Sequence, residues 1–331
     1  MDLQKRYNTI DVMKMIMAFN VVGIHTGTYF DTNFPIEVNY VLDMAVPFFF
    51  ICSGFFIQNK ISRSENLFFV LNRSCIRYVK LYVIWQILFF PVALKFLITN
   101  SHDFWENLSY CIHNFLFVGE IVFSWPLWYL HGLIISVIIV YLLYKIKLSL
   151  IQIWIVSVIM MLFGYYITEI CVSDVNLLSL KIASIFGSTD RNGPYRGFAL
   201  VTTGMIIHKY LMNVRYKFFL GIFCILISYH FYRNSLPLHL ILSGGGLFMV
   251  VSSFTLVDHS YYVSLRFCST MIYFIHMFFV ILAHTLLKKY VDGVTRVYLI
   301  WIAIFIVAWI GAFIMYNLRE CRYFQWINHL V

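Results

Sequence analysis

The sequence predicts an all-α integral membrane protein, a bundle of about ten transmembrane helices with both termini cytoplasmic. The chain of 331 residues is 61% hydrophobic and 12% charged, and its mean hydropathy is +0.81. A soluble globular chain is about half apolar and about a quarter charged. Ten segments approach the ~20 apolar residues that a membrane-crossing helix needs. The 33 Phe and 23 Tyr suit lipid contact and anchoring at the membrane interface.

The predicted spans follow one another through short loops. They cover residues 10–30, 41–58, 78–98, 127–145, 150–170, 197–211, 217–234, 237–256, 269–288 and 296–317. Segment 197–211 is short and contains glycine. Segment 103–124 is aromatic but mixed with polar residues, so it is predicted to be a re-entrant or interfacial piece. No linker rich in Gly, Ser or Pro occurs, which predicts one membrane domain over residues 1–331 and no soluble domain.

Lysines and arginines in alternate loops predict the orientation. Fifteen fall on one side and eight on the other, with Lys14 inside the first span. Cytoplasmic loops carry the excess, so both termini are predicted to lie in the cytoplasm, with the protein in the cell inner membrane. The net charge of +9 is spread over short loops and forms no patch for nucleic acid. The seven cysteines are scattered without metal-ligand spacing, so no metal is expected.

The first span carries a polar stripe. Lys14 and His25 are eleven residues apart, about three turns, so they share one helix face roughly 16 Å apart along the axis. Asp11 lies one turn before Lys14. Charged groups are expensive in lipid, which predicts that this face meets the bundle interior or a cavity. Two alternatives stay open, because Lys14 can snorkel to the interface and His25 can satisfy a backbone group instead of serving as a general base.

Six stretches of the chain form a series of short motifs. They are IDVMKMIMAFNVVGIHT in the first span, VPFFFICSGFF at 46–56, NRSCIRY at 72–78, PLWYL at 126–130, RNGPYRGFALVTTG at 191–204 and YFIHM at 273–277. In this order they resemble the motifs of the acyltransferase family 3 membrane proteins, whose first motif has a basic residue, ten residues and then histidine, as from Lys14 to His25. The resemblance implies a bundle of ten spans that moves an acyl group, usually acetyl from acetyl-CoA, to a hydroxyl of a glycan or lipid-linked sugar.

The resemblance also implies site residues. Arg73 and Arg77 lie one turn apart on the cytoplasmic side, where arginine can grip the phosphates of acyl-CoA; the alternative is topological charge with no ligand. Lys14 would position the donor. His25 would act as general base or become acylated itself.

Other residues keep two interpretations each. Ser53 is a nucleophile or, as we favour, part of a close helix contact with Gly54. Trp128 and Tyr129 stack on a sugar or belong to the aromatic belt. Arg191 and Asn192 bind an acidic or hydroxylated acceptor or form a helix-entry turn. His276 is a pocket residue or a structural hydrogen-bonding group, and it is expected nearer the cytoplasmic face than His25, which argues against a shared proton relay.

Three functions compete. The first is an O-acyltransferase that acts on a cell-surface glycan in contact with membrane lipid, with a homo-oligomer as a further expectation. The second is a transporter or binding domain for a small amino acid such as serine, or for an acylated glycan. Relatives of that kind are joined to a soluble enzyme domain, and none is expected here after Val331. The third, a purely structural membrane protein, does not explain the stripe of Asp11, Lys14 and His25.

Overall fold

The computed structural model describes residues 7–99, 103–121, 123–173, 193–291 and 293–331. Within these ranges the regular structure is entirely helical, as predicted. The α-helices are α1 (Asn8–Tyr29), α2 (Ile36–Asp43), α3 (Ala45–Ile61), α4 (Leu67–Thr99), α5 (Phe104–His113), α6 (Trp128–Lys145), α7 (Leu150–Ser173), α8 (Phe198–Ile206), α9 (Lys217–Arg233), α10 (Leu238–Val251), α11 (Tyr261–Leu287) and α12 (Val294–Leu318).

Six helical stretches of the described chain are long and apolar enough to cross a membrane. They are Ile36–Ile61, Leu67–Lys95, Trp125–Lys145, Leu150–Glu169, Tyr261–Tyr290 and Val294–Leu318. Each coincides with one of the predicted spans. By length and composition, these six make the chain a multi-pass membrane protein.

The other four predicted spans are helical but do not reach that standard. Helix α1 is long enough but carries the polar stripe. Helices α9 and α10 have 17 and 14 residues. Segment 197–211 consists mainly of α8, which has π-helical turns on both sides, Gly193–Gly197 and Ile207–Leu211. The number of ten crossings therefore stays a prediction.

Segment 103–124 is broken into short pieces. Helix α5 has 10 residues, about 15 Å of helix, which is too short to cross the ~30 Å hydrocarbon layer. A π-helical turn ends at Gly119 in the left-handed region at φ 91°. A 3-10 turn, Trp125–Leu127, then leads into α6. This agrees with the prediction of a piece that does not span, and it brings Trp125 to the end of the bundle where α6 begins.

Helices α1 and α11 pack side by side and run in the same direction. Contacts occur in the same order along both, from Asp11 with Arg266 through His25 with His276 to Tyr29 with His284. We call the end of the bundle where these two helices begin the basic end, and the end where they finish the opposite end. Parallel packing places groups at similar positions in the two helices at similar depth.

The remaining packed pairs have consistent directions. Helix α4 runs parallel to α11, since Trp85 stacks on Phe274 and Phe89 stacks on Phe278. Four other pairs are antiparallel, because contacts that come later along one helix come earlier along its partner. For α1 with α12 the contacts are Phe19 to Phe305 and Phe34 to Tyr298, and for α4 with α6 they are Phe68 to Tyr141 and Tyr82 to His131. For α7 with α8 and the turn before it they are Trp154 to Thr203 and Gly164 to Tyr195, and for α9 with α10 they are Lys217 to Ser252 and Tyr232 to His239.

Two glycines allow α3 and α8 to touch backbone to backbone. A Cβ at Gly54 would collide with the carbonyl oxygen of Val201, and a Cβ at Gly204 would collide with that of Ile51. Small residues at such contacts replace the hydrophobic driving force that lipid cannot supply between helices. The predicted close helix contact at Ser53 and Gly54 is confirmed.

A buried ion pair joins α1 to α11 near the basic end. The Asp11 carboxylate is buried and accepts hydrogen bonds from Nε of Arg266 at 3.0 and 3.1 Å and from Nη2 at 2.6 Å. A two-pronged pair of this kind fixes both distance and orientation. Asp11 therefore holds two helices together, and its predicted role in substrate binding stays a prediction.

We expect Asp11→Asn to lower the thermal midpoint of the detergent-purified protein by several degrees. The variant leaves the Arg266 guanidinium without its carboxylate, and losing one partner of a buried pair costs about 3–5 kcal/mol, less here because Arg266 is half-exposed. Adding Arg266→Gln should recover part of the loss, since no uncompensated charge then remains. Glu37→Gln, at a carboxylate whose contact with Tyr229 is exposed, is the control and should change little. An unchanged midpoint in Asp11→Asn would contradict this role.

Candidate active site

Two histidines meet between α1 and α11 toward the opposite end of the bundle. The ring centroids of His25 and His276 are 5.1 Å apart, with the ring planes at 38°. Trp125 lies 6.2 Å from His25, and Tyr29, one turn further along α1, lies 5.2 Å from Trp125. Side chains from α1, from α11 and from the turn before α6 thus surround one small region.

The sequence-based expectation for the depth of His276 was wrong. The apolar run suggested that the span begins at residue 269, which put His276 only about seven residues inside it. Helix α11 begins eight residues earlier, at Tyr261, so His276 is about as far along α11 as His25 is along α1. Since the two helices are parallel, the rings are neighbours, and the argument against a shared role for them no longer holds.

His276 presents an unused hydrogen-bond acceptor. Its side chain is fully buried, and Nδ1 lies 3.0 Å from the carbonyl oxygen of Ile272. A carbonyl only accepts, so Nδ1 carries the hydrogen, and Nε2 of the neutral ring has a free electron pair. Nε2 is buried and has no hydrogen-bond partner among the described residues, and the same is true of the Tyr29 hydroxyl. Unpaired buried polar atoms are costly, and they are typical of a site that a substrate or water completes.

Ser53 and Tyr129 belong to a hydrogen-bonded aromatic layer beside the histidines. Their hydroxyl oxygens are 2.8 Å apart, and the Tyr129 hydroxyl also contacts the Phe49 carbonyl at 3.2 Å. The Tyr129 ring lies 5.4 Å from Tyr273, which is 6.3 Å from His276. The Ser53 hydroxyl is hydrogen-bonded to a tyrosine and not to a general base that could activate it. The geometry therefore favours the packing role of Ser53 over a role as a nucleophile.

Trp128 also packs inside the bundle. Its ring lies 5.6 Å from Phe50, and it is half-buried, as is Tyr129. The structure therefore joins Trp128 and Tyr129 to the wall around Phe50, and neither forms a simple aromatic belt on the outside of the protein. The other two candidates, Arg191 and Asn192, lie outside the described residues.

Lys14 lies toward the basic end against aromatic rings of α3. Its Nζ is 4.9 Å from the centre of the Phe56 ring, a cation–π contact. Tyr7 packs edge-on against Phe55 and Phe56 at 5.3 and 5.8 Å. His208 packs against Phe55 at 4.9 Å, and its Nδ1 is buried without a hydrogen-bond partner in the described chain.

Further cations gather around this part of the basic end. Arg73 and Arg77 are exposed on the first turns of α4. Lys60, at the end of α3, is close enough for both arginine charges to repel its ammonium group. Arg63 is similarly close to His208. Burial raises the pKa of the Tyr7 hydroxyl, and the nearby Arg63 charge opposes that shift. Like charges that repel one another are typical of a site for a polyanion.

Sequence reasoning missed Lys60, Arg63, His208, Trp125 and Tyr29. The two cations were counted only as orientation signals, although they lie ten to thirteen residues before Arg73. No sequence signal connects His208 or Trp125 to the site, because each comes from a distant segment. Tyr29 lies one turn after His25 on α1, so its spacing was the signal that could have found it. Among the described residues, no group of three or more His, Cys, Asp or Glu side chains is arranged to hold a metal ion.

Comparison with known proteins identifies the family of this chain. Residues 7–317 match the family described as "Acyltransferase domain", which is nearly the whole chain. A stretch of 202 residues is 28% identical to an amino-acid racemase of Enterococcus faecalis, over 58% of this chain and 27% of that protein. The chain thus spans about a quarter of that relative's length. No solved structure matched it. On the match over residues 7–317, the chain belongs to acyltransferase family 3.

Proposed function

We propose that this membrane acyltransferase moves an acetyl or other acyl group from cytoplasmic acyl-CoA to a hydroxyl of a cell-surface polysaccharide or lipid-linked sugar. One observation carries the proposal. A single face of α1 joins Lys14, which contacts Phe56 toward the basic end, to His25, beside His276 toward the opposite end. Phe56 also packs against Tyr7, which is close to the charge of Arg63. The same helix therefore links a region suited to a polyanionic donor with a region suited to proton transfer.

The donor would bind at the basic end. Coenzyme A carries three phosphate groups, and Arg73 and Arg77 offer planar forks that match phosphate oxygens. Lys60 adds a third cation beside them. Lys14, deeper in the bundle, would meet the phosphate end of the pantetheine arm. The thin arm would cover the roughly 16 Å of helix between Lys14 and His25 and so bring the thioester to His25.

His25 would carry the proton. The acceptor O–H bond breaks, the proton moves to a His25 ring nitrogen, and the oxygen bonds to the thioester carbonyl carbon. The C–S bond then breaks, and the coenzyme A thiolate leaves and takes up the proton. In the alternative order, His25 is acylated first and then passes the acyl group on. His276 would act as a positioning residue, because its free Nε2 electron pair can accept a hydrogen bond that orients the His25 ring.

The membrane arrangement belongs to the same proposal. Ten crossings with both termini in the cytoplasm would place the basic end inside the cell and the opposite end outside, with the protein in the inner membrane. The parallel and antiparallel contacts of the described helices fit an alternation of ten crossings. The excess of Lys and Arg in the loops of the basic end supports the orientation.

A second function has one observation in its favour. The relative from Enterococcus faecalis is an amino-acid racemase. A membrane domain that binds or transports a small amino acid such as serine would share its sequence without transferring an acyl group. The two functions differ in whether acyl-CoA is consumed.

We expect His25→Gln to lower acyl transfer by about 10²–10⁴-fold while acyl-CoA binding is retained, since the amide keeps hydrogen bonding but has no basicity. His276→Gln should lower kcat less and shift its pH profile, because it disturbs the orientation of the base. His131→Gln replaces another buried histidine, which contacts the Leu116 carbonyl, and should leave the pH profile unchanged. Turnover of acyl-CoA by purified protein is the measurement. Normal transfer by His25→Gln would contradict the mechanism.

We expect the double variant Arg73→Gln and Arg77→Gln to raise the KM for acyl-CoA with little change in kcat, because two phosphate contacts are lost far from the reacting atoms. The effect should shrink at high salt, which screens exposed charges. Arg215→Gln is the control, since this exposed arginine of the basic end packs on Tyr216. If the double variant and Arg215→Gln have the same KM for acyl-CoA, Arg73 and Arg77 do not bind the donor and serve only as positive charges that orient the protein in the membrane.

We expect Ser235→Cys to react with a membrane-impermeant maleimide added to intact cells, and Lys147→Cys to react only after the membrane is permeabilised. The two positions lie in loops at opposite ends of the bundle, between α9 and α10 and between α6 and α7. The exposed Cys321 is first replaced by Ser to remove background labelling. Labelling of Lys147→Cys in intact cells would reverse the proposed orientation.

A further inference from the structure

A cavity of about 400 Å³ opens at the opposite end of the bundle, away from the cations of the donor site. It lies where α2 begins, α7 nears its end, the turn Gly193–Gly197 precedes α8, and α9 connects to α10. Its polar lining consists of Tyr165, Arg196, Tyr232, Arg233, Ser235 and His239. The volume falls in the range of small-molecule sites, about 300–1,000 Å³, and suits one sugar or amino acid unit.

The lining of this cavity is positively biased. Among the described residues that line it are two arginines and a histidine, and none of those described lining residues is a carboxylate. Arg233 forms no ion pair with any described residue. Positive groups that line one cavity favour an anion between them.

His239 is held in a defined orientation in this wall. Its Nδ1 donates to the Leu236 carbonyl at 2.7 Å, and its ring packs against Tyr232 at 5.2 Å. Nδ1 is thereby occupied. Nε2 donates to a bound anion when the ring is protonated, and the negative charge of the anion favours that proton. The Tyr232 ring supplies an apolar face beside the charges. Charged groups with an aromatic face and hydroxyls match a sugar or amino acid that bears an acidic group.

The cavity is separated from the histidine pair by aromatic rings. Gly197, next in sequence to Arg196, packs against the Phe50 ring. Phe50 lies 4.6 Å from Tyr129, and Tyr129 contacts Tyr273 beside His276. The cavity thus adjoins the wall of the candidate active site at the end opposite the donor cations.

We propose that this cavity binds the anionic group, a carboxylate or a phosphate, of the molecule that receives the acyl group. The inference rests on the proposed function and narrows the acceptor to an acidic one. Arg233 and His239 hold the anion, and Tyr232 packs against the ring or side chain of the acidic unit. The hydroxyl that reaches His25 belongs to another part of the same acceptor, beyond the aromatic wall.

Binding to the full-length protein in detergent tests this without acyl transfer. The probes are glucuronate, glucose 6-phosphate and glucose, which differ in their acidic group, together with L-serine. We expect glucuronate or glucose 6-phosphate to raise the thermal midpoint and glucose not to. Which of the two binds distinguishes a carboxylate from a phosphate.

Variants then locate the binding. Arg233→Gln and His239→Gln should each weaken the affinity for the acidic sugar about tenfold or more, because each removes a charge-assisted or directed hydrogen bond. Lys288→Gln is the matched control at the same end, where Lys288 lies 3.8 Å from Asp31, and it should bind like the unaltered protein. Equal stabilisation by glucose, no stabilisation by any probe, or full affinity in both variants would overturn the proposal.

The L-serine arm separates the two proposals. If serine alone stabilises the protein and Arg233→Gln abolishes the effect, the cavity binds a carboxylate, and the result counts against the transfer of an acyl group to a sugar. If an acidic sugar stabilises a protein that does not consume acyl-CoA, the cavity binds the anion but the proposed enzymatic function is contradicted.

Discussion

The parallel packing of α1 against α11 determines where the polar groups of this protein meet. The bidentate pair of Asp11 and Arg266 fixes the two helices near the basic end. A shift of one residue along either helix would turn its side chains by ~100°. The contact between His25 and His276, about three to four turns further along, therefore depends on a register set at the other end of the same helix pair.

This pairing also explains how one bundle can have two chemically different ends. Toward the basic end Lys14 contacts the Phe56 ring of α3, and the same end carries Lys60 close to Arg73 and Arg77. Toward the opposite end the groups around His25 are a second histidine, Trp125 and Tyr29, with little charge. Between the ends, the rings of Phe49 and Tyr273 are buried and pack against each other 5.6 Å apart. In the proposed function, an apolar wall of this kind would strengthen hydrogen bonds and protect the thioester from hydrolysis.

Hydropathy was sufficient to locate most of the helical bundle, because lipid requires long apolar helices whatever their neighbours. The sequence also predicted that Lys14 and His25 share a helix face, since both lie on one helix. It did not predict which residues of other helices they contact. Arg266 is 255 residues from Asp11 in the sequence. The residues around Arg266 are partly polar, so hydropathy did not identify the first two turns of α11 as part of the span. The depth of His276 was misjudged for that reason.

The roles of individual side chains could not be assigned from the sequence, because one sequence context is compatible with more than one role. Ser53 has the same sequence context whether it attacks a thioester or bonds to Tyr129, and only the hydroxyl of Tyr129 at 2.8 Å separates the two. In the sequence, Lys60 and Arg63 look like ordinary cytoplasmic charges. Only the packing of the chain brings Lys60 close to Arg73 and Arg77 and Arg63 close to His208. Long-range contacts of this kind leave no trace in a single sequence.

The central claim is that an acyl group passes from the basic end to the opposite end by way of His25. The direct measurement uses sealed vesicles with the basic end facing the medium, acetyl-CoA labelled in the acetyl group outside, and a cell-envelope glycan fraction enclosed inside. The account predicts labelled glycan in the lumen with the unaltered protein and none with His25→Gln. Label that appears only when donor and glycan share one compartment, or that appears equally with His25→Gln, would contradict it.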